Sequence, residues 1–463
     1  MKKIITLLLV LTMVFSLCAC GGSGEGSKTD APAEDALQVG FAKVSITPDY
    51  SVSLGGFGDE ATRLSEGFVD RIYATCLAFT QGEETILVYT VDAQNMSVEM
   101  VQSVRNVVSR IAEVPADKIF IGATHSHSTP VTSGQYKEDL HKWMTEAAQK
   151  ALEDRAPATV LAGTQEIPGM NFDRHYKTDK GTYFGPSFGT KDGEIVGHGT
   201  ETDPQMVLVK FDYTDESKKD ILMVNWQAHP ASASEVGYNQ ISAEFISPMR
   251  DELEKLSGMQ VAYFTGASGN LVKDSQIPSE THGLGYREYG TKMGQLANDA
   301  LTCLKPTGAS GIKTFQKFVD VEIDHNWDHM IKEANEVMNV WRTTTKTAAD
   351  ALAKTYGFTS SYQANAIVRR SRMAATEQME INAFSVGGVG FTTGSYEMFA
   401  TSGKFVKTNS PFEVTFLITG NQFYIPVPIA YDYRSYEADT SNYAKGTAEK
   451  LADAYVEILG NVK

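Results

Sequence analysis

Apolar residues recur along this chain with two periods that alternate from one segment to the next. Runs of about four to eight apolar residues are typical of buried strands, and stripes at helical spacing are typical of helices that pack against a sheet. The runs that predict strands cover residues 72–79, 85–91, 119–121, 159–163, 221–227, 388–393 and 414–419. The stripes that predict helices cover residues 98–111, 138–152 and 447–459. Together they predict an α/β fold in which layered mixed β-sheets are flanked by helices.

The N-terminal segment has a different character. Residues 1–19 combine a basic start with an apolar run that is typical of a secretory signal peptide and too short to span a bilayer as a mature helix. The run ends in Leu17-Cys18-Ala19-Cys20, which resembles a bacterial lipobox with cleavage before Cys20 and a diacylglycerol on its sulfur. Residues 20–38, rich in Gly, Ser, Asp and Glu, predict a flexible linker. We therefore expect an extracytoplasmic lipoprotein that is anchored to the cell membrane through Cys20.

Residues 39–463 are expected to form one catalytic domain. No segment of about 20 to 50 residues repeats along them, which argues against a repeat architecture. The side chains that can bind a metal are spread over most of this span and must meet in one crevice. A helical insertion at about 327–372 interrupts the succession of strands. We interpret it as helices that pack on the core, with a lid over an acyl-chain cleft as the alternative.

Side chains that can bind a metal follow four of the predicted strands. His125 and His127 follow one strand, His229 follows a second, and Glu397 and Tyr424 follow two more. Because strand ends in an open α/β sheet border the crevice that binds ligands, we expect these side chains to lie close together. A His-x-His sequence alone is as typical of a hydrogen-bonded loop, so the other strand ends carry the argument. Two imidazoles, a carboxylate and a phenol suit Zn²⁺ with an exchangeable water at the metal.

The motifs around these residues resemble those of the neutral/alkaline non-lysosomal ceramidases, which are zinc amidases that remove the fatty acyl chain from N-acylsphingosine. Thr-His-x-His-Ser matches residues 124–128, Asn-x-x-x-His matches 225–229, a Gly-Glu block falls near Glu397, and Tyr-(Ile/Val) with a Tyr-Glu twelve residues on matches Tyr424-Ile425 and Tyr436-Glu437. The opening at 43–48 and 55–58 resembles the start of the family's domain. The resemblance therefore covers nearly the whole chain after the linker.

This resemblance implies a metal site and a mechanism. The implied ligands of Zn²⁺ are His125, His229, Glu397 and Tyr424. The implied catalytic residues are His127, Arg174 and Tyr436, with Arg174 in a loop that resembles the family's Asn-Arg loop. A metal lowers the pKa of its water from about 15.7 to roughly 7, so that activated water attacks the amide. His127 would then transfer protons, while Arg174 and Tyr436 would stabilise the oxyanion.

The chain departs from the family pattern at several positions. The Gly-Asp-x-Ser-Pro-Asn block appears as residues 269–274, where Val272 stands in place of the serine that has been considered as a nucleophile. A serine mechanism is therefore not expected unless Ser268 substitutes, whereas attack by water survives the change. Thr129 and the pair Ser395-Tyr396 also depart from the family, which puts the shape of the substrate in doubt more than the type of reaction.

The composition of the chain limits the classes of partner that we expect. The chain carries 41 basic and 57 acidic side chains, a formal net charge of −16, which argues against nucleic acid or an anionic surface as partner. We expect a small-molecule or lipid substrate with an N-acyl amide, and we predict no protein partner. Cys76 and Cys303, both inside predicted elements, are expected to be buried thiols without a catalytic role.

These observations lead to a predicted function with two alternatives. We expect hydrolysis of the N-acyl bond of ceramide or a related N-acyl lipid. A hydrolase of another amide or ester, such as an N-acyl amino acid or a glycan-linked amide, would share every ligand and differ in the residues that line its pocket. A non-catalytic solute-binding lipoprotein would share the signal, the linker and the acidic surface, but it has no need of metal ligands at strand ends.

The lipobox generates the first test. Replacing Cys20 by Ala removes the sulfur that would carry the lipid, so we expect the variant to move from the membrane fraction to the soluble fraction of the expressing cells. Fractionation followed by immunodetection measures this. A Cys20→Ala variant that stays as membrane-bound as the unaltered protein would show that the lipobox interpretation is wrong, and Cys303→Ala, far from the N-terminus, serves as the matched control.

Overall fold

The computed structural model describes residues 35–57, 62–308 and 310–463. The signal peptide, Cys20 and most of the linker lie outside these residues. In chain order the strands are β1 Gln38–Ser45, β2 Gly67–Phe68, β3 Tyr73–Gln81, β4 Glu84–Val91, β5 Ile119–Ala123, β6 Ala156–Glu166, β7 Phe172–Asp173, β8 Tyr176–Thr178, β9 Tyr183–Phe184, β10 Ile195–His198, β11 Gln205–Tyr213, β12 Ile221–Trp226, β13 Gln240–Ile241, β14 Gln260–Thr265, β15 Leu271–Val272, β16 Lys305–Pro306, β17 Lys313–Glu322, β18 Thr376–Val386, β19 Val389–Met398 and β20 Thr415–Ile425. The α-helices are α1 Val98–Ala112, α2 Gly134–Glu153, α3 Ala233–Val236, α4 Ile246–Ser257, α5 Tyr286–Asp299, α6 Ile331–Thr343, α7 Lys346–Thr355, α8 Ser361–Arg370, α9 Ala400–Asn409, α10 Pro428–Asp432, α11 Tyr436–Thr440 and α12 Thr447–Asn461.

The predicted fold class is confirmed, and the strands chosen from apolar runs are all present. Several of them are longer than predicted. In particular, β19 continues through Glu397 and β20 through Tyr424, so these side chains lie inside strands near their ends. In α1 the stripe buries Val101, Val104 and Val108, but Ile111 in the last turn is 50% exposed. The apolar runs and helical stripes thus located these strands and helices, while packing determined where each one ends.

The largest sheet has nine strands and mixed direction. Its order is β14-β12-β11-β6-β1-β3-β4-β5, with β16 paired to β6. Most pairs are antiparallel, but β4 with β5 and β12 with β14 are parallel. Successive side chains point to opposite faces of a strand. On β3, Cys76 accordingly packs in the core beneath the helices, and its neighbour Leu77 packs in the core on the other face.

A second sheet covers that other face. It has four strands in the order β17-β18-β19-β20. Aromatic rings fill the space between the two sheets, with Phe120 stacked on Phe384 at 4.4 Å and Phe384 stacked on Phe391 at 4.6 Å between ring centroids. The far face of the second sheet buries apolar residues of α12, including Leu451 and Leu459. The molecule therefore has four layers: helices, sheet, sheet and helices.

The two edges of the nine-stranded sheet meet, and we call the side-chain hydrogen bonds that join them and β20 the seam. The hydroxyl of Thr90 donates to the Tyr263 carbonyl at 2.6 Å, and that of Thr265 donates to the Thr124 carbonyl at 2.8 Å. The side-chain amide of Asn225 donates to the Leu417 carbonyl of β20 at 2.8 Å. The seam brings the carboxyl ends of β5 and β12 next to β19 and β20.

Three helices lie between β17 and β18. α6, α7 and α8 pack on one another around an apolar cluster that includes Val337, Ala349 and Ile367. α8 also packs against α11, which begins at Tyr436. The helical segment is thus placed beside a residue to which the sequence assigned a catalytic role.

The two cysteines of the folded domain are free thiols, of which Cys76 is buried and Cys303 is half-buried.

Within residues 35–57, 62–308 and 310–463, every helix is too short or too polar to cross a lipid bilayer.

The seam predicts the effect of a small substitution. Gly122 of β5 lies against β20, where an added Cβ would come within 2.5 Å of Ile418 Cγ2 and 3.2 Å of the Thr419 carbonyl oxygen. We expect Gly122→Ala to lower the free energy of unfolding by about 1–3 kcal/mol, the usual cost of overpacking. Gly197→Ala is the control, because a Cβ there meets no atom within 4 Å. Chemical denaturation measures both, and equal stabilities would contradict the close approach of β5 and β20.

Candidate metal centre

The first histidines lie on a turn rather than on an extended segment. β5 ends at Ala123, and His125 has a positive φ of 67°, a left-handed conformation that turns the chain. Because this turn interrupts the extended chain, the alternation of side chains along a strand does not decide where His125 and His127 point. The turn nevertheless brings the two rings together, with their centroids 4.9 Å apart and edge to face.

Hydrogen bonds determine which nitrogen of each imidazole is free. His125 Nδ1 contacts the Gln94 carbonyl oxygen at 2.5 Å, and His229 Nδ1 contacts the Ser268 carbonyl oxygen at 2.9 Å. A carbonyl only accepts, so each Nδ1 must carry the proton, and each Nε2 of the neutral ring is then a lone pair. These two Nε2 atoms face each other at 2.9 Å. Two lone pairs so close repel unless a cation lies against them.

A carboxylate oxygen points at the same spot. Glu397 Oε2 lies 3.1 Å from His125 Nε2 and 3.5 Å from His229 Nε2. The oxygen is buried and has no hydrogen-bond donor among the residues that the structure describes. Leaving a buried charged oxygen unsatisfied is costly. Electron-rich atoms from β19 and from the loops after β5 and β12 therefore converge, and this donor set fits a divalent metal with nitrogen and oxygen ligands.

His127 belongs to the same group in space. One ligand atom from each of His125, His127 and His229 lies within 4.8 Å of the others, and all three side chains are buried. Neither ring nitrogen of His127 has a hydrogen-bond partner in the described part of the chain. Burial, together with the charge of Arg174, holds the pKa of His127 well below its usual value. The ring is thus neutral and able to take a proton or to bind a metal.

Tyr424 and Arg174 flank the group on the side of β20. The ring of Tyr424 stacks beside His229 with centroids 6.5 Å apart, and its hydroxyl accepts from Arg174 Nη2 at 3.2 Å. Burial and the charge of Glu397 raise the pKa of Tyr424, so its phenol stays protonated when no metal is bound. The four predicted ligands therefore lie close together. Atoms of His125, His229 and Glu397 face one another, and Tyr424 lies beside them with its hydroxyl bonded to Arg174.

Tyr436 packs against Tyr424. Its ring meets that of Tyr424 edge to face, with centroids 5.9 Å apart. Burial raises the pKa of Tyr436 to about 12, although the charge of Arg174 opposes the rise. The hydroxyl is therefore a hydrogen-bond donor over the whole neutral range, as the role assigned from sequence requires.

Sequence reasoning missed the side chains that hold Arg174. Glu437 Oε1 accepts from Arg174 Nε at 2.6 Å, and Glu437 Oε2 lies 2.8 Å from His175 Nε2. His175 Nδ1 in turn lies 2.8 Å from the Tyr433 hydroxyl. Burial would raise the pKa of Glu437, but His175 and Arg174 outweigh it and lower the value to about 2. The available signal was adjacency, since Glu437 follows Tyr436 and His175 follows Arg174.

A buried arginine and a buried carboxyl group, Arg63 and Glu244, contact the back of the histidine turn, and no sequence signal pointed to them. Arg63 Nη1 donates to the carbonyl oxygens of His127 at 2.8 Å and Gly55 at 2.7 Å. Glu244 accepts from the Ser128 hydroxyl at 3.0 Å. Burial raises the pKa of Glu244 to about 8, although its hydrogen bonds oppose the rise. Both lie far from the turn in sequence, so only the tertiary structure brings them there.

Comparison with known proteins identifies the fold. No protein-family model matches the sequence, and no curated protein matches it. Among solved structures, neutral ceramidase from Pseudomonas aeruginosa is similar with a TM-score of 0.65 at 15% identity, over 92% of this chain and 74% of that one. A ceramidase complexed with C2 is similar with a TM-score of 0.65 at 13% identity, over 92% of this chain and 75% of that one. The resemblance drawn from the motifs is therefore confirmed for the fold, which this chain shares with neutral ceramidase.

The facing nitrogens generate a test by metal analysis. We expect the purified protein to bind one divalent metal per chain and His229→Ala to lose most of it, because the variant removes one of two facing lone pairs. Elemental analysis after dialysis measures the content. His282→Ala, a histidine on a more exposed loop, is the control and should keep the metal. A full metal content in His229→Ala would remove this residue from the site.

His127→Ala separates two roles in the same measurement. If His127 only transfers protons, as predicted from sequence, the variant keeps its metal and loses activity. Loss of metal from this variant would instead make His127 a third imidazole ligand and would contradict the assignment of proton transfer alone.

Proposed function

We propose that this protein is a zinc-dependent amide hydrolase that cleaves the N-acyl bond of ceramide or of a related N-acyl lipid. The observation that carries the proposal is the convergence of His125 Nε2, His229 Nε2 and Glu397 Oε2 at 2.9–3.5 Å in a buried site. The fold shared with neutral ceramidase supports the choice of reaction. The donors Arg174 and Tyr436 beside this group support an acyl transfer, in which negative charge develops on a carbonyl oxygen.

Zn²⁺ is the proposed metal because imidazole and carboxylate ligands with a protonated phenol nearby suit it. His125, His229 and Glu397 would hold it, with Tyr424 as the fourth ligand. A bound zinc supplies a Lewis acid and lowers the pKa of water from about 15.7 to roughly 7. The carbonyls of Gln94 and Ser268 would orient the two imidazoles through their Nδ1 protons.

His127 is the proposed proton carrier. Its pKa is lowered by burial and by the neighbouring charge of Arg174, so the ring is unprotonated at neutral pH and can accept a proton. It would take a proton from the attacking water and return one to the nitrogen of the leaving amine. Arg63 supports this role because its hydrogen bond to the His127 carbonyl holds the turn in place.

Arg174 and Tyr436 are the proposed donors to the oxyanion. The guanidinium keeps its charge, since Glu437 and Tyr424 outweigh the effect of burial and raise the pKa of Arg174. Glu437 positions the guanidinium by accepting from Arg174 Nε at 2.6 Å, and His175 Nε2 holds the other oxygen of Glu437 at 2.8 Å. Each well-placed donor contributes about 3 kcal/mol to the stability of the transition state.

Water is the proposed nucleophile. Val272 stands where the family pattern has serine, and it forms a bridge to His229. Ser268 is the remaining serine nearby, but its hydroxyl has no hydrogen-bond partner among the described residues. A serine nucleophile needs a base within hydrogen-bond reach, so this arrangement supports attack by water.

Extracytoplasmic attachment to the cell membrane through Cys20 completes the proposal. The lipobox and the linker from residue 20 to 38 support it. A lipid anchor would keep the enzyme near membranes, where N-acyl lipids are found.

The mechanism predicts the kinetics of three variants. We expect His127→Ala and Tyr436→Phe to lose about 10²- to 10³-fold in turnover, because each removes a group that acts on the transition state. Val272→Ala should stay within a few-fold of the unaltered enzyme, because the position carries no nucleophile. Turnover is measured on the amide that a screen of N-acyl lipids, N-acyl amino acids and esters selects, with and without a chelator.

Several outcomes would contradict the proposal. Trapping of a covalent acyl-enzyme, or normal rates in the first two variants, would exclude the mechanism. Hydrolysis of esters or of sugar-linked amides without any N-acyl lipid would exclude the substrate class. A protein that binds solutes but turns over nothing in the screen would be a binding lipoprotein.

A further inference from the structure

Ring contacts and one hydrogen bond form a closed circuit that joins the histidines of the candidate metal centre to aromatic side chains nearer the surface. His127 lies 5.6 Å from His229, which lies 6.5 Å from Tyr424. Tyr424 lies 5.9 Å from Tyr436, and Tyr436 lies 5.5 Å from Tyr362, all between ring centroids. We call these side chains together with Phe57 the aromatic circuit.

Phe57 closes the circuit. The Tyr362 hydroxyl donates to the Phe57 carbonyl oxygen at 2.9 Å. The Phe57 ring then returns to His127, edge to face at 5.3 Å between centroids. The histidines are buried, whereas Phe57, Tyr362, Tyr424 and Tyr436 are all partly exposed. Solvent therefore meets the aromatic members first, and a substrate must pass them to reach the histidines.

Tyr362 differs from the other members in its origin. It lies on α8, in the three helices between β17 and β18, whereas the other members lie in the two-sheet body or in loops attached to it. Its ring is held from behind by Trp341 of α6, with centroids 5.4 Å apart, and by Lys346 Nζ at 4.4 Å from the ring centroid. These contacts and the hydroxyl bond to Phe57 restrain the ring of Tyr362, whose centroid lies 5.5 Å from that of Tyr436.

We propose that Tyr362 is a specificity-determining residue, which restricts the entrance of the metal centre to unbranched N-acyl chains. The inference rests on the proposed function and adds the shape of the substrate to it. A polymethylene chain is narrow and apolar and can slide along aromatic rings, whereas a branched chain of equal carbon number is wider. A fixed phenol ring between Phe57 and Tyr436 excludes the wider chain by overlap, because the ring cannot turn aside without losing its bond to the Phe57 carbonyl.

The test compares two amides of one amine. One carries a linear acyl chain, and the other carries an isomeric chain of the same carbon number with its branch away from the carbonyl, so that hydrophobicity and reactivity are matched. We expect the unaltered enzyme to prefer the linear amide in kcat/KM. Tyr362→Ala should reduce that preference about tenfold by a gain on the branched amide, which is the usual scale for one or two methyl groups in a pocket. Its metal content should not change.

Two further variants sharpen the result. Tyr356→Ala is the matched control, since Tyr356 is a partly exposed tyrosine of the same helical segment that packs on Phe358 away from the aromatic circuit. It should keep the linear preference. Tyr362→Leu retains an apolar side chain against Trp341 but is narrower than tyrosine, and it makes the same comparison if Tyr362→Ala does not fold.

The failures of the two proposals are distinguishable. An active enzyme whose linear preference is unchanged in folded Tyr362→Ala or Tyr362→Leu overturns this inference and leaves the proposed function intact. An unaltered enzyme without preference between the two amides also overturns it. An unaltered enzyme that hydrolyses no amide overturns the proposed function, and with it the inference that rests on it.

Discussion

The meeting of the two edges of the nine-stranded sheet is the constraint on which the rest of the structure depends. His125 follows one edge strand, and His229 follows a strand next to the other edge, so an open flat sheet would hold them far apart. Hydrogen bonds from Thr265 to the Thr124 carbonyl and from Asn225 to the Leu417 carbonyl close that distance. They also give a hydrogen-bond donor to each of these buried backbone carbonyls. The candidate metal centre is thus a consequence of how the sheet curls.

The close approach has an electrostatic consequence. It turns the Nε2 lone pairs of His125 and His229 and an oxygen of Glu397 toward one another in a buried space. These atoms repel one another in the absence of a cation. Two charged side chains lie around these electron-rich atoms. Arg174 contributes a positive charge beside Tyr424, and Glu437 balances that charge from the far side. A site of this kind is pre-organised, because its donors are already oriented before a metal or substrate arrives.

The second sheet and the helical segment make different contributions to the centre. The second sheet supplies Glu397 and Tyr424 from neighbouring strands, and its rigidity follows from the aromatic rings packed against the first sheet. The segment from α6 to α8 has its own small core and reaches the centre through α8. The candidate ligands therefore come from the two-sheet body and its loops, while the helical segment places Tyr362 beside Tyr436.

The sequence by itself determined the element types, because apolar periodicity depends on local chain geometry. It also identified the residues that meet in the centre, since motif spacing reports which side chains follow which strands. The turn at His125, the contacts of Arg63 and Glu244 behind it, and the bond between Arg174 and Glu437 were decided by tertiary structure. These contacts join residues that are distant in the chain, and a pattern of neighbours carries no information about which distant charge becomes buried against which backbone oxygen.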